Sequence, residues 1–109
     1  MESLVITPQE SRALIESDAP VRLIDCREPD EYVICKIDHA ELLPFSTFFH
    51  DYSAKLRNKN ETILIYCHHG MRSLRAAEYL SQLGYTDVRS INGGIEAWAQ
   101  EVDPGMPQY

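Results

Sequence analysis

The chain has 109 residues, a formal net charge of −7 and a pI near 4.9. Its 44% hydrophobic and 25% charged content is that of an ordinary globular domain, long enough to bury a core without staples. The acidity argues against general nucleic-acid binding and opposes anions at long range, so any anion must be recognised by local positive groups.

No apolar run approaches the roughly 20 residues needed to span a bilayer. The N-terminus lacks a basic stretch followed by an apolar core, the pattern of a secretory signal. Three cysteines, an odd number with no paired spacing, suit a reducing compartment better than a disulfide scaffold. The expectation is a cytoplasmic protein with neither nucleic-acid nor membrane partners.

In chain order, Leu4-Val5-Ile6 reads as a short strand. Thr7-Pro8-Gln9-Glu10 is a capping box with proline at the first helical position, predicting a helix over 8–17. Asp18-Ala19-Pro20 ends it. Val21–Asp25 is a buried strand that stops at a carboxylate, and 28–34 a short helical turn. A brief strand falls within 41–44. A helix over 46–56 takes its apolar bulk from Phe48, Phe49 and Tyr52. After the polar turn Asn58-Lys59-Asn60, Thr62–Tyr66 is an apolar, β-branched strand.

Ala76, Ala77, Leu80 and Leu83 give a helix over 73–83 its apolar face, with Gly84 as its cap. Asp87–Ile91 is a strand, Gly93-Gly94 a turn, and 95–101 a helix. The proline-rich residues 102–109 are an extended C-terminal tail. Strands alternating with helices predict an α/β domain covering 1–109, its central five-stranded, mostly parallel sheet covered by helices on both faces.

The chemistry gathers where the strand ending at Tyr66 hands over to the next helix, in Cys67-His68-His69-Gly70-Met71-Arg72-Ser73. Backbone N–H groups and the positive end of a helix dipole converge at such a junction. They favour thiolate over thiol, and the thiolate is the nucleophile. Arg72 adds a permanent positive charge for an anionic substrate. Gly70 permits the backbone conformations of a tight cradle. The alternative, a small core cysteine ending a strand, sits badly with two histidines and an arginine in the same loop.

This loop resembles the active loop of the rhodanese family of single-cysteine sulfurtransferases. Leu23-Ile24-Asp25-Cys26-Arg27-Glu28-Pro29-Asp30-Glu31-Tyr32 is similar to that family's first signature, a strand running into Asp-x-Arg and an acidic-aromatic pair. Ile37 and Ala40 through Pro44 match its second, although Cys35, Lys36 and His39 stand where Gly, His and Gly are usual. Asn92-Gly93-Gly94-Ile95-Glu96-Ala97-Trp98 resembles the closing Gly-Gly-x-x-x-Trp. The tail is similar to those of small rhodaneses and of rhodanese domains fused to adenylating enzymes of sulfur-carrier pathways.

The resemblance implies a single rhodanese-like domain in which Cys67 takes the outer sulfur of thiosulfate or of a persulfide donor. The resulting persulfide passes its sulfur to a thiol or protein acceptor. The further expectations are no cofactor, no metal, and a monomer or weak dimer. N–H groups of residues 68–73, including Gly70, Met71 and Ser73, would stabilise the anionic sulfur, and Arg72 would hold the donor's sulfonate. Ser73 reads as the N-cap of its helix. His68 and His69 either assist proton transfer and guide the acceptor or simply shape the mouth. Asp25 and Arg27 are supporting residues, Arg27 pairing with Glu31 across one turn. Cys26 and Trp98 read as packing, and Cys35 as packing or as a resolving thiol. A metal site from Cys67, His68, His69 and His50 is disfavoured, because adjacent histidines in a tight loop rarely aim at one ion.

Two other readings compete. A phosphatase or arsenate reductase of the same fold needs five residues between cysteine and arginine to wrap a tetrahedral oxyanion. Here four separate Cys67 from Arg72. A non-catalytic rhodanese-like binding module usually lacks the cysteine altogether.

Overall fold

The computed structural model describes residues 4–109. Ten elements alternate along the chain: β1 Val5–Ile6, α1 Pro8–Glu16, β2 Val21–Asp25, α2 Pro29–Tyr32, β3 Glu41–Leu42, α3 Phe45–Lys55, β4 Thr62–Tyr66, α4 Met71–Gln82, β5 Asp87–Ile91 and α5 Gly94–Glu101. The sheet has the order β1-β5-β4-β2-β3, and each adjacent pair is parallel. It is an α/β fold with a five-stranded parallel sheet. Among the described residues, no helix is long and apolar enough to cross a membrane.

The continuous apolar run of β4 follows from its burial on both faces. Ile63, Ile65 and Cys67 point into one core layer, with Ile24 and Cys26 of the neighbouring strand and with Leu56, Ala76, Ala77 and Leu80. Leu64 and Tyr66 point into the other, with Leu23, Ile91, Ile95 and Trp98. Period-two alternation thus splits the strand's side chains between two helical layers, α3 and α4 on one side and α1 and α5 on the other.

Local signals set the ends of several elements. The capping box of α1 is formed as expected: Glu10 N–H donates to Thr7 Oγ1 at 3.0 Å and Thr7 N–H to the Glu10 carboxylate at 3.3 Å. Gly84, at φ +95, follows the last turn of α4. Gly84 N–H reaches Ser81 O and Tyr85 N–H reaches Leu80 O, a Schellman ending. His39 occupies the left-handed region at φ +70, so the turn keeps a conformation that glycine adopts freely despite its side chain.

The order of the strands decides where the site lies. From β2 the chain moves outward to β3, whereas from β4 it moves the opposite way to β5. The carboxyl ends of β2 and β4 therefore flank the point where the winding reverses, the crevice in which ligands of open α/β sheets bind. Cys26 and Cys67 are the first residues beyond those two ends.

Candidate active site

Cys67 leaves β4 almost fully buried, at 1% exposure. Two backbone donors reach its sulfur, Gly70 N–H at 3.1 Å and Ser73 N–H at 3.4 Å, with the Ser73 hydroxyl at 3.5 Å. The Cys26 thiol lies against it from the end of β2 and is the strongest influence on its ionisation. The neighbouring Cys26 thiol, then the Ser73 hydroxyl and the two N–H groups, outweigh the burial that favours a neutral thiol. The Cys67 pKa is lowered from 9.0 to about 4. The expected ring of donors from 68 to 73 is thus two N–H groups and the Ser73 hydroxyl.

Ser73 is not the N-cap. That position falls to Gly70, at φ +104 in the left-handed region, and α4 begins at Met71. Ser73 is the third helical residue, where the N–H has no partner within the helix and is free to point at the sulfur. Its hydroxyl is buried, 2.6 Å from Ser90 Oγ and 3.2 Å from Gly70 O. When Ser90 donates to Ser73, the Ser73 proton is available to the thiolate.

Arg72 does not stand open. Its Nη1 and Nη2 donate to the two carboxylate oxygens of Glu31 at 2.8 and 3.0 Å. This pair holds the Glu31 carboxyl at about 2, below its ordinary 4.5, and pushes the guanidinium pKa up. The anion at the helix N-terminus is the protein's own side chain. Arg27, in turn, does not pair with the Glu31 carboxylate. It forms a fully buried pair with Asp25 at 2.7 Å and reaches the backbone carbonyls of Glu31 and Cys35 with its remaining donors. Asp25 and Arg27 lie at one end of a chain of contacts that runs through Glu31 to Arg72.

The tail closes that chain. Residues 103–106 make a turn, with Met106 N–H on Asp103 O at 3.0 Å, so the ending folds back rather than extending away. The Tyr109 hydroxyl accepts from Arg27 Nη1 and donates to Glu31 Oε2, each at 2.9 Å. Its ring stacks on His68 with centroids 4.0 Å apart. His68 is sandwiched, since His69 stacks on its other side at 3.9 Å. His69 Nε2 lies 3.3 Å from the Glu96 carboxylate, and Met71 is exposed at the rim.

The histidines bear on metal binding. His68, His69 and Glu96 offer ligand atoms within 4.8 Å of one another. The two imidazole planes are only 23° from parallel, so their in-plane lone pairs run side by side instead of converging on one ion. His50 pairs with Asp51 on an exposed stretch of α3.

Two further features escaped the sequence reading. Gly94, in the closing Gly-Gly turn, packs against the loop backbone: a Cβ there would lie 2.4 Å from His68 O and 2.5 Å from Cys67 O. Behind it, Ile95 N–H and Glu96 N–H cap the carbonyls of Cys67 and His68 at 2.8 and 3.1 Å. Cys26 is the other. Its alternation with Ile24 places it on the Cys67 face, whereas Cys35 packs against the opposite layer.

Residues 7–101 match the Rhodanese-like domain family. The chain is 36% identical over 104 residues to the probable adenylyltransferase/sulfurtransferase MoeZ of Mycobacterium tuberculosis, covering 95% of this chain and 26% of that protein. It thus spans about a quarter of that relative. Among solved structures, a rhodanese-like domain protein from Staphylococcus aureus superposes with a TM-score of 0.76 at 32% identity, covering 100% of this chain and 99% of that one. The human single-domain sulfurtransferase TSTD1 gives 0.78 at 26% identity, covering 92% and 98%.

Proposed function

The chain belongs to the rhodanese-like domain family, and from that premise we propose that it is a sulfurtransferase working through a persulfide on Cys67. The observation that carries this reading is the buried Cys67 sulfur, met by the Gly70 and Ser73 N–H groups at 3.1 and 3.4 Å at the crevice between β2 and β4. At neutral pH it is a thiolate in want of an electrophilic sulfur. The sulfurtransferases among its relatives support the same chemistry.

The thiolate attacks the outer sulfur of a donor. With thiosulfate, the S–S bond of the donor breaks, sulfite leaves with its electron pair, and Cys67 carries a persulfide anion. An acceptor nucleophile, a thiol or a protein thiol (cyanide in the test tube), then attacks that outer sulfur and restores the thiolate. The Gly70 and Ser73 N–H groups stabilise the negative sulfur before and after transfer. His68, His69 and Met71 form the mouth through which donor and acceptor approach.

Arg72 holds a sulfonate only by exchanging it for the Glu31 carboxylate. Thiosulfate therefore competes with an internal anion, in a protein of net charge −7. A persulfide donor needs no such exchange, and the site favours it. The same pairing weighs against the phosphatase reading, since an oxyanion cradle whose arginine is already neutralised has little to offer a phosphate. The domain acts as one unit over 1–109, with 102–109 a tail returning to the loop, and its free thiols suit the cytoplasm.

Intact-mass spectrometry after thiosulfate treatment tests the reading. Wild type should gain one sulfur atom, removable by cyanide, and Cys67→Ser should gain none. An adduct that persists on Cys67→Ser overturns it.

A further inference from the structure

Cys26 and Cys67 are cross-strand neighbours at the heart of the site. In the β2–β4 ladder Ile24 pairs with Ile65 and Asp25 with Tyr66. Cys26 N–H continues the ladder by donating to Tyr66 O at 2.9 Å. One step further the register sets Cys26 beside Cys67. Both side chains point into the same core layer, at 0% and 1% exposure. Neighbouring strands lie about 4.8 Å apart, within the roughly 4.4–6.8 Å between Cα atoms that a disulfide bridges. Cys35 lies outside this ladder and packs against the other core layer.

We propose that Cys26 is a resolving thiol for oxidised Cys67, the two closing into a reversible disulfide when a peroxide reaches the active loop. Cys67 thiolate attacks one peroxide oxygen. The O–O bond breaks, hydroxide leaves, and the sulfur, oxidised by two electrons, becomes a sulfenic acid. Cys26 sulfur then attacks Cys67 sulfur, and the hydroxyl departs with the Cys26 proton as water. An external dithiol returns two electrons and two protons and reopens the pair.

The ionisation of the two groups fits this order. Contact with the Cys67 sulfur holds the Cys26 pKa well above its usual value, with burial and then the Cys67 charge adding to the effect. Cys26 therefore stays a thiol and does not compete for electrophiles. Conversion of Cys67 to a neutral sulfenic acid removes the contribution of its negative charge at the moment the Cys26 sulfur is needed to attack. Without a resolving partner, so acidic a thiolate proceeds to sulfinic and sulfonic acids that thiols do not reduce. The pair protects the catalytic sulfur and switches the site off until reductant returns.

Peptide mapping after hydrogen peroxide treatment decides the matter without reference to sulfur transfer. Wild type should lose the mass of two hydrogens and yield a peptide pair joined through Cys26 and Cys67, both reversed by dithiothreitol. Cys35→Ser should give the same pair. Cys26→Ala should instead accumulate Cys67 with two or three added oxygens, and dithiothreitol should not reverse it. A wild-type map in which Cys67 is joined to Cys35, is joined to a second chain, or is over-oxidised without any link overturns the proposal. That map needs no variant, so a Cys26→Ala protein that fails to fold leaves the test intact.

Discussion

Glu31 grips the guanidinium of Arg72 through both carboxylate oxygens, at 2.8 and 3.0 Å. Glu31 comes from α2 and Arg72 from the start of α4, so an anionic donor that used Arg72 would have to displace the carboxylate. Glu31→Gln should therefore lower KM for thiosulfate. A charge-assisted contact is worth about 1.5–3 kcal/mol, so the gain is roughly ten- to a hundredfold. Arg72→Ala should raise KM for thiosulfate and leave a neutral persulfide donor nearly unaffected. Should Glu31→Gln raise KM, the carboxylate serves to position Arg72 rather than to compete with the donor.

The hydroxyl of Ser73 contributes to keeping Cys67 ionised near pH 4, after the larger influence of Cys26. Its removal takes away a donor to the thiolate while the Ser73 N–H stays. Ser73→Ala should shift the Cys67 pKa upward, because the charged form alone loses a partner. In wild type, alkylation by iodoacetamide should be flat across neutral pH and fall only as pH drops through about 4. In Ser73→Ala the fall should begin at higher pH. Superimposable profiles would mean that Cys26 and the N–H groups alone hold the charge.

The sequence disclosed most where local chemistry decides the structure. The bounds of β2, β4 and β5 were legible, β4 most plainly as an apolar run that both faces of the sheet must cover, and the capping box placed the start of α1. The helix after the loop begins two residues earlier than its apolar face suggests, because Gly70 in the left-handed region makes the cap. Nothing in the sequence spacing of Arg72 and Glu31, 41 residues apart, points to their pairing; the nearer Arg27 looked the better partner for Glu31. Arg27 turns inward because its buried partner Asp25 sits two residues away. Cys26 looked like packing because its neighbour across the sheet becomes visible only once the register of β2 against β4 is known.

Gly94→Ala tests the seat of the loop. Its φ of +63 disfavours a side chain, and the new Cβ would meet the carbonyls of Cys67 and His68 at under 2.7 Å. Backbone is on both sides, so neither neighbour yields cheaply. The variant should lose about 1–3 kcal/mol of stability from conformational strain, with the clash adding to it, and should transfer sulfur poorly even at temperatures where it stays folded. A variant with wild-type activity would show that the loop does not depend on α5 for its shape.

Tyr109 ties the tail to the site through its ring and its hydroxyl separately, so two substitutions divide its roles. Burial raises its phenol pKa to about 12, and it remains protonated, donating to Glu31 and accepting from Arg27. Tyr109→Phe keeps the stack on His68 but leaves an Arg27 N–H without its partner, a loss of roughly 1–3 kcal/mol. In a domain of this size each kcal/mol lowers Tm by about 4–8 °C. Tyr109→Ala loses the stack as well and should fall further. The imidazole itself reports the difference: NMR signals of the His68 ring should move in Tyr109→Ala, where the aromatic ring above it is gone, and stay nearly in place in Tyr109→Phe. If His68 is unmoved in both and Tm is unchanged, the tail does not rest on the loop in solution, and the chain of contacts from Asp25 through Arg27 to Arg72 runs through Glu31 alone.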